Sequence, residues 1–360
     1  MLSLQKITIT HFKNYDLSSF RFGTQVIGIC GLNGKGKTNL LDAIYYCCFT
    51  KSYFAATDAL NIGFNKEGFR LEAQFDHSGE AQKVVCIYRG ASKKEFYLNE
   101  APYEKFSNHI GLLPAVMIAP DDIEIISGSS ELRRKYIDTV LSQLDAGYLQ
   151  QLITYNKVLQ QRNSLLKRFA EQGKTDDALL DILDQQLVAP GKIIFEKRVA
   201  FTTVLLPLVH HFYNQIASND EIIRIVYQSK LQEDGFETLL SKYREKDRLL
   251  QRTNAGIHKD DLELQLNGQP FKNIASQGQR KSLLFALKLA EYEVIRQGKG
   301  FSPILLLDDV FEKLDDVRMN NLLHWVCNEN KGQVLITDTH KERLLDAFEK
   351  LGVTGEIVEL

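Results

Sequence analysis

Gly31-Leu32-Asn33-Gly34-Lys35-Gly36-Lys37-Thr38 follows the pattern G-x-x-x-x-G-K-[ST], and its flanks are what that pattern requires. Ahead of it, Gln25-Val26-Ile27-Gly28-Ile29-Cys30 reads as a short buried strand. Behind it, Thr38-Asn39-Leu40-Leu41-Asp42-Ala43-Ile44-Tyr45 carries apolar residues at helical spacing. Glycines at 31, 34 and 36 let the backbone curl so that its N–H groups point inward at the positive end of the following helix. A polyphosphate fits such a site. Lys37 is placed to reach the β/γ-phosphates as a point charge, and Thr38 to put its hydroxyl on Mg²⁺. The strand and helix on either side weigh against a Gly-rich turn that binds nothing.

Working outward, the 360 residues suggest two or so domains with ample length for a large core. A hydrophobic content of 44% and a charged content of 25% are ordinary for a soluble globular protein. No run of eighteen apolar residues exists, and Met1-Leu2-Ser3-Leu4-Gln5-Lys6 lacks a secretory core, so a cytosolic protein is expected. The five cysteines, at 30, 47, 48, 86 and 327, form no C-x-x-C pair and no metal-ligand spacing with the eight histidines. Reduced, mostly buried thiols and no zinc site are expected. A formal net charge of −2 argues against a globally basic nucleic-acid coat protein and leaves room for a local basic surface.

Strands are expected at Leu4 to Thr10, Val26 to Cys30, Phe69 to Phe75 and Lys83 to Tyr88, the last two joined by a turn at His77-Ser78-Gly79-Glu80. From about Ser129 to Ala217 the pattern is helical, as in Leu132, Tyr136, Ile137, Val140, Leu141 and Leu144, with interruptions read at Gly173-Lys174-Thr175-Asp176 and Ala189-Pro190-Gly191. Pro207 is expected to kink the last helix. Strand patterns return at Glu221 to Gln228, Leu262 to Leu266, Pro303 to Leu307 and Gln333 to Thr337, with a helix over Gly278 to Arg296. The predicted class is therefore α/β, with a mixed, largely parallel sheet and an inserted α-helical arm. The expected division is 1–127 for the N-terminal part of the head, 128–218 for the arm and 219–360 for the C-terminal part of the head.

Two further elements sharpen the nucleotide reading. Ile304-Leu305-Leu306-Leu307-Asp308-Asp309 puts paired acids at the end of a buried strand, where ligands bind in open α/β sheets. Asp308 is expected to hold Mg²⁺, and Asp309 to orient or deprotonate the attacking water. Ser276-Gln277-Gly278-Gln279 opens a helix and makes a second anion site. One subunit with one nucleotide has no use for two such sites, so a sandwich of two copies is expected. Read alone, Ser276 is a plain N-cap.

The combination Gly-x-Asn-Gly-x-Gly-Lys-Thr-Asn, Ser-Gln-Gly-Gln-Arg-Lys and Leu-Leu-Leu-Asp-Asp-Val-Phe-Glu-Lys-Leu-Asp resembles ABC-type ATPases of the SMC and DNA-repair branch, above all the RecF family. His11-Phe12-Lys13-Asn14-Tyr15, Ala119-Pro120-Asp121-Asp122 with Arg133-Arg134-Lys135-Tyr136-Ile137-Asp138, and Gly256-Ile257-His258-Lys259-Asp260-Asp261-Leu262 are similar to further segments of that family. The resemblance implies a weak, DNA-stimulated ATPase acting as a clamp switch, with ATP and Mg²⁺ as cofactors and an ATP-dependent homodimer. Its implied partners are double-stranded DNA, ssDNA–dsDNA junctions, RecR, RecO and, indirectly, RecA. The implied role is loading RecA at gaps in recombinational repair, replication-fork maintenance and the SOS response. Carried over residue by residue, the nucleotide set is Gly31, Asn33, Gly34, Gly36, Lys37, Thr38, Asn39, Lys13, Ser276, Gly278 and Gln279. Lys37 and Asp309 are the catalytic pair, Thr38 and Asp308 the metal ligands, and Leu314-Asp315 the D-loop. Departures are Lys13 in place of Arg, Pro120-Asp121-Asp122 where other heads carry a Mg²⁺-sensing Gln, and Asp338 where transporters place a switch His, with His340 two residues on.

Between residues 132 and 168, Arg133, Arg134, Lys135, Lys157, Arg162, Lys167 and Arg168 face only Asp138 and Asp145. Of these, Arg133, Arg134, Lys135, Arg162, Lys167 and Arg168 are the candidate DNA contacts, with a solvated helix face as the competing reading. No base-reading motif is visible, which fits binding by backbone and shape. A transporter ATPase subunit is the alternative, disfavoured by the basic helical stretch between Thr38 and Ser276. A structural SMC-like tether is disfavoured because the arm is short and lacks sustained heptads.

Overall fold

The computed structural model describes residues 1–90, 93–173, 175–217, 221–309 and 315–360. Contacts group the chain into two units, one of Met1–Ile123, Leu208–Asn219 and Ser276–Leu360, the other of Glu124–Pro207 and Asp220–Ala275.

The first unit is built on a five-stranded parallel sheet in the order Gly355–Glu359, Val26–Cys30, Val334–Asp338, Ile304–Leu307, Ala115–Ile118. Strands covered on both faces need unbroken apolar runs. Val26–Cys30 and Ile304–Leu307 are such runs, buried at every position. Because only Val334–Asp338 lies between them, the phosphate loop and Asp308 leave the carboxyl ends of two strands that flank the same neighbour. A six-stranded antiparallel sheet accompanies it, in the order Tyr15–Arg21, Leu2–Phe12, Gly68–His77, Glu80–Arg89, Lys93–Leu98, Ala101–Pro102. The turn at Ser78 (φ 57°) and Gly79 (φ 91°) has the two positive dihedrals of a tight hairpin, as its sequence predicts. Both sheets and the helix Lys37–Phe49 share one core that includes Leu4, Ile9, Phe12, Ile29, Leu40, Ile44, Phe75 and Leu306. Tyr15–Arg21, Lys93–Leu98 and Ala115–Ile118 are strands that the sequence patterns did not announce.

The second unit holds the helices Ser130–Leu144 and Ala146–Gln172, most of Asp177–Ala217, the helix Phe236–Leu250, and a sheet in the order Gln269–Pro270, Asp261–Leu266, Ile223–Gln228. Two expectations are corrected here. Residues 220–275 do not group with the head, because Ile223–Gln228 pairs along its whole length with Asp261–Leu266 and that strand packs on the helix Ser130–Leu144. Nor does Ala189-Pro190-Gly191 interrupt a helix: Asp177–Ala217 runs through both Pro190 and Pro207. Proline removes one N–H from the ladder, and packing can outweigh that loss. Gly191 shows the packing, since a Cβ there would collide with the Phe236 ring.

All five cysteines are free and buried, and burial pushes the Cys86 and Cys327 thiols up to about 12. Among the described residues, no helix is long and apolar enough to cross a membrane, and no cluster of side chains could hold a metal through several His, Cys or acid ligands.

Candidate functional site

The helix Lys37–Phe49 starts from Gly36, whose φ of 109° lies in the left-handed region. A Cβ at Gly36 would come within 2.7 Å of Asn14 Nδ2, too close for any side chain. The turn Phe12-Lys13-Asn14-Tyr15 clamps the loop from outside. Asn14 Nδ2 donates to the Lys35 carbonyl (3.1 Å), Tyr15 Oη to the Gly36 carbonyl (3.1 Å), and Asn39 Nδ2 to Asn14 Oδ1 (2.7 Å). Lys13 lies 2.5 Å from Asp42, a fully buried carboxylate that also accepts from Ser52 Oγ and the Tyr53 amide, both at 2.7 Å. Asn33 and Gly34 are exposed at the crest of the loop. Lys37, almost fully buried, donates from Nζ to the Gly31 carbonyl at 2.7 Å.

Thr38 donates to both oxygens of Asp308, at 2.9 and 3.1 Å, closing a gap of 270 residues in sequence. Thr337, on the strand between, donates to Asp308 Oδ1 (2.9 Å) and accepts from the Asp309 amide (2.9 Å). Sequence reasoning missed Thr337; its place next to the expected switch position was the available signal. Burial pushes the Asp308 carboxyl up to about 6, with the hydroxyls of Thr38 and Thr337 pulling the other way. Asp309 adopts φ 46°, a left-handed conformation that Asp tolerates better than longer residues. A hydroxyl and a carboxylate held together behind a loop lysine form an oxygen donor set able to take a hard divalent cation.

At the head of the helix Gln277–Lys299, Ser276 and Gln279 make a capping box: Ser276 Oγ accepts from the Gln279 amide (3.2 Å), and Gln279 Oε1 from the Ser276 amide (2.7 Å). Gly278 faces Arg318, whose Nη1 would collide with a Cβ at that position. Of the expected D-loop pair, Leu314 lies outside the described residues and Asp315 caps the helix Asp316–His324. Asp122 accepts from the Ala119 amide (2.8 Å) and from the Tyr53 hydroxyl, so this carboxylate is engaged within its own unit. Asp338 is buried and accepts from the His340 amide (2.6 Å) and Arg343 Nη1 (3.2 Å), whereas the His340 ring is exposed.

The basic residues of the arm separate sharply. Lys135, Lys157, Lys167 and Arg168 are exposed. Arg162 is not a surface residue: it is fully buried, 2.5 Å from Asp184 and 2.7 Å from Asp247, and also donates to Thr253 Oγ1 (3.0 Å). The expectation that it contacts DNA is overturned, because its partners at 184 and 247 neutralise it inside the unit. Arg133 makes a two-pronged pair with Asp261 (2.6 and 3.0 Å), and Arg134 donates to the Asp260 carbonyl (2.5 Å), so both are largely engaged in holding the unit.

The family described as the RecF/RecN/SMC N terminal domain matches residues 3–356. The DNA replication and repair protein RecF of Flavobacterium johnsoniae is 42% identical over 342 residues, 95% of each chain. A solved structure of the recombination mediator protein RecF-ATP in the RecFOR pathway superposes with a TM-score of 0.86 at 30% identity, covering 94% of this chain and 92% of that one. The Smc head domain of Pyrococcus furiosus shares the fold, with a TM-score of 0.57 at 15% identity over 98% of this chain and 92% of that one. With a family model spanning nearly its whole length and a full-length relative so similar, the chain belongs to the RecF family of DNA replication and repair proteins, built on the ABC-type ATPase head fold of the SMC group.

Proposed function

We propose that the chain is an ATP-dependent, DNA-binding recombination mediator in which ATP governs the pairing of two copies on double-stranded DNA. The observation that carries this reading is the bond from Thr38 to Asp308, which joins the phosphate loop to the end of the strand Ile304–Leu307. Mg²⁺ held by these two residues would balance charge on the β- and γ-phosphates. The remaining work belongs to the chain itself. The inward amides of Gly31 to Gly36 and the Lys37 ammonium hold the phosphates, and Thr337 keeps Asp308 in line. Asp309 orients or deprotonates the attacking water; its side chain is one methylene shorter than the Glu common in ABC ATPases. A base must come within about 2.6 to 3.2 Å of its proton or act through a water, so hydrolysis is slow and serves as a release step. Ser276 and Gly278 are read as contacts to a γ-phosphate held by the second copy.

The names of the relatives and the ATP-bound solved structure support the wider role. In it, the dimer sits at ssDNA–dsDNA junctions bordering gaps and, with RecR and RecO, promotes RecA loading. Light scattering with ATP and Mg²⁺ tests the core of the reading. The wild type is expected to dimerise, and Ser276→Arg to bind ATP while staying monomeric. A Ser276→Arg dimer would overturn the sandwich.

A further inference from the structure

The segment Gly256-Ile257-His258-Lys259-Asp260-Asp261-Leu262 is a knot whose groups are almost all engaged inside the second unit. His258 bonds Tyr155 Oη (2.7 Å) and the Thr253 carbonyl (3.0 Å). The Ile257 carbonyl accepts from Arg198 Nη1 (2.8 Å), Asp260 from the Tyr227 hydroxyl, and Asp261 from Arg133. Gly256, Ile257 and Leu262 are buried. Of the seven, Lys259 alone is exposed, presented to solvent from a fixed base.

Its surroundings are positive. His258 bonds the carbonyl of Thr253, next to Arg252, and Arg134 donates to the carbonyl of Asp260, next to Lys259. Burial lowers the Lys259 pKa, and the charges of Arg252, Arg134 and Lys230 act in the same direction, while the buried Asp247 pulls the other way. Lys230 Nζ donates to Tyr243 Oη (2.7 Å) and sits 4.1 Å from that ring's centroid, with Lys246 Nζ 5.8 Å from the same ring. Three of the neighbouring acids are engaged elsewhere: Asp234 with Lys242 (3.3 Å), Glu245 with Arg248 (2.9 Å), and Asp247 with Arg162 (2.7 Å). Among the described residues, no carboxylate pairs with Lys230, Lys246, Arg252 or Lys259. Such a cluster repels itself until an external anion covers it.

We infer that Lys230, Lys246, Arg252 and Lys259 form a phosphate-contact surface for the backbone of double-stranded DNA. This rests on the DNA-binding reading above and locates the contact. A duplex is favoured over a single strand because single-strand sites offer free aromatic faces for stacking bases. Tyr243 is half-buried and already carries Lys230 on both its hydroxyl and its ring. Heads of one sign with nothing to read base edges suit tracking of a regular phosphate array.

The test is fluorescence anisotropy of the full chain with a short blunt duplex, over a series of KCl concentrations, comparing wild type with the triple variant Lys246→Ala, Arg252→Ala and Lys259→Ala. Each lost phosphate contact lowers the salt slope by roughly 0.9, so the triple variant should lose about 2 to 3 from the slope and at least about tenfold in affinity at ~0.1 M salt. ATP binding and melting temperature should stay put, and Lys259→Arg alone should keep the slope. A wild type that binds no duplex would break the DNA-binding reading and this surface with it. A wild type that binds, beside a triple variant with the same slope and affinity, would overturn the surface alone. Poly-glutamate displacing the duplex at equal charge would also overturn it, pointing to an acidic protein instead.

Discussion

The two units of this chain each gather cations and carboxylates from distant stretches of sequence, and they do so to opposite ends. At the phosphate loop, Lys37 leans on a main-chain carbonyl and Asp308 on two hydroxyls, so neither charge is cancelled by its opposite within ion-pair distance among the described residues. In the second unit, Arg162 is closed between Asp184 and Asp247, and Arg198 between Asp138 and Asp260. The residue types are the same. The difference teaches that charge marks a ligand site where the fold leaves it uncompensated, and marks architecture where the fold supplies the counter-charge.

The comparison breaks most easily at Arg162. Removing one partner from a buried pair leaves an uncompensated charge and costs about 3 to 5 kcal/mol. Arg162→Met should therefore lower the melting temperature by roughly 10 °C, because each kcal/mol shifts a unit of this size by about 2 to 4 °C. ATP binding measured well below the transition should be unchanged. An unaltered melting temperature together with weaker DNA binding would restore Arg162 as a surface contact and erase the contrast.

Lys37 is the complementary case. Lys37→Ala should reduce ATP turnover and ATP-dependent dimerisation at least about 100-fold, equivalent to roughly 2.7 kcal/mol. Its cost to the fold should stay near 1 kcal/mol, the net worth of one hydrogen bond. Isothermal titration with ATP and a thermal melt separate the two effects. A large stability loss with intact ATP binding would make Lys37 architectural.

A smaller effect comes from His258, which burial holds down at about 4. The folded state keeps this ring neutral while the unfolded chain protonates it below about 6.5, so its stabilising effect is complete above that pH and is lost as pH falls towards 4. The expected loss is about 2 kcal/mol between pH 7 and pH 5. His109, in the first unit and also held at about 4 by burial, should behave alike. His258→Gln should flatten the pH dependence of the melting temperature while costing about 1 kcal/mol at neutral pH through its bonds to Tyr155 and Thr253. A variant with the wild-type pH profile would show that His258 does not carry it.

The contrast also explains what could be read from sequence. The phosphate loop, the Asp308 strand and the Ser276 helix start were legible because each is a local pattern whose chemistry depends on neighbours a few residues away. Arg162 was misread because its partners lie 22 and 85 residues along the chain, outside any window in which charge can be balanced. The grouping of residues 220–275 escaped for the same reason, since Ile223–Gln228 has to find Asp261–Leu266 before its allegiance is fixed. Thr337 stands beside the expected switch position, but its partner becomes visible only when the parallel register sets its hydroxyl against Asp308. Pro190 misled because a local rule against proline in helices says nothing about Phe236 packing on Gly191.

The finest test of the contrast is the length of one side chain. Asp309 sits at φ 46° with its amide bonded to Thr337, beside the carboxylate proposed to hold Mg²⁺. Asp309→Glu lengthens the carboxylate's reach by one methylene, which should help it engage the attacking water. It also places a longer side chain in the left-handed region, at a stability cost of roughly 0.5 to 1 kcal/mol. The expected result is a turnover increase of less than about tenfold over a wild-type rate below roughly 1 per second, with a slightly lower melting temperature. Asp309→Asn should instead leave ATP binding intact and prolong the ATP-bound dimer on duplex DNA. Steady-state phosphate release with and without duplex checks both variants. A fast wild type, or a Glu variant slower than wild type, would show that reach does not limit water activation and that the geometry around Asp309 is already tuned for Asp.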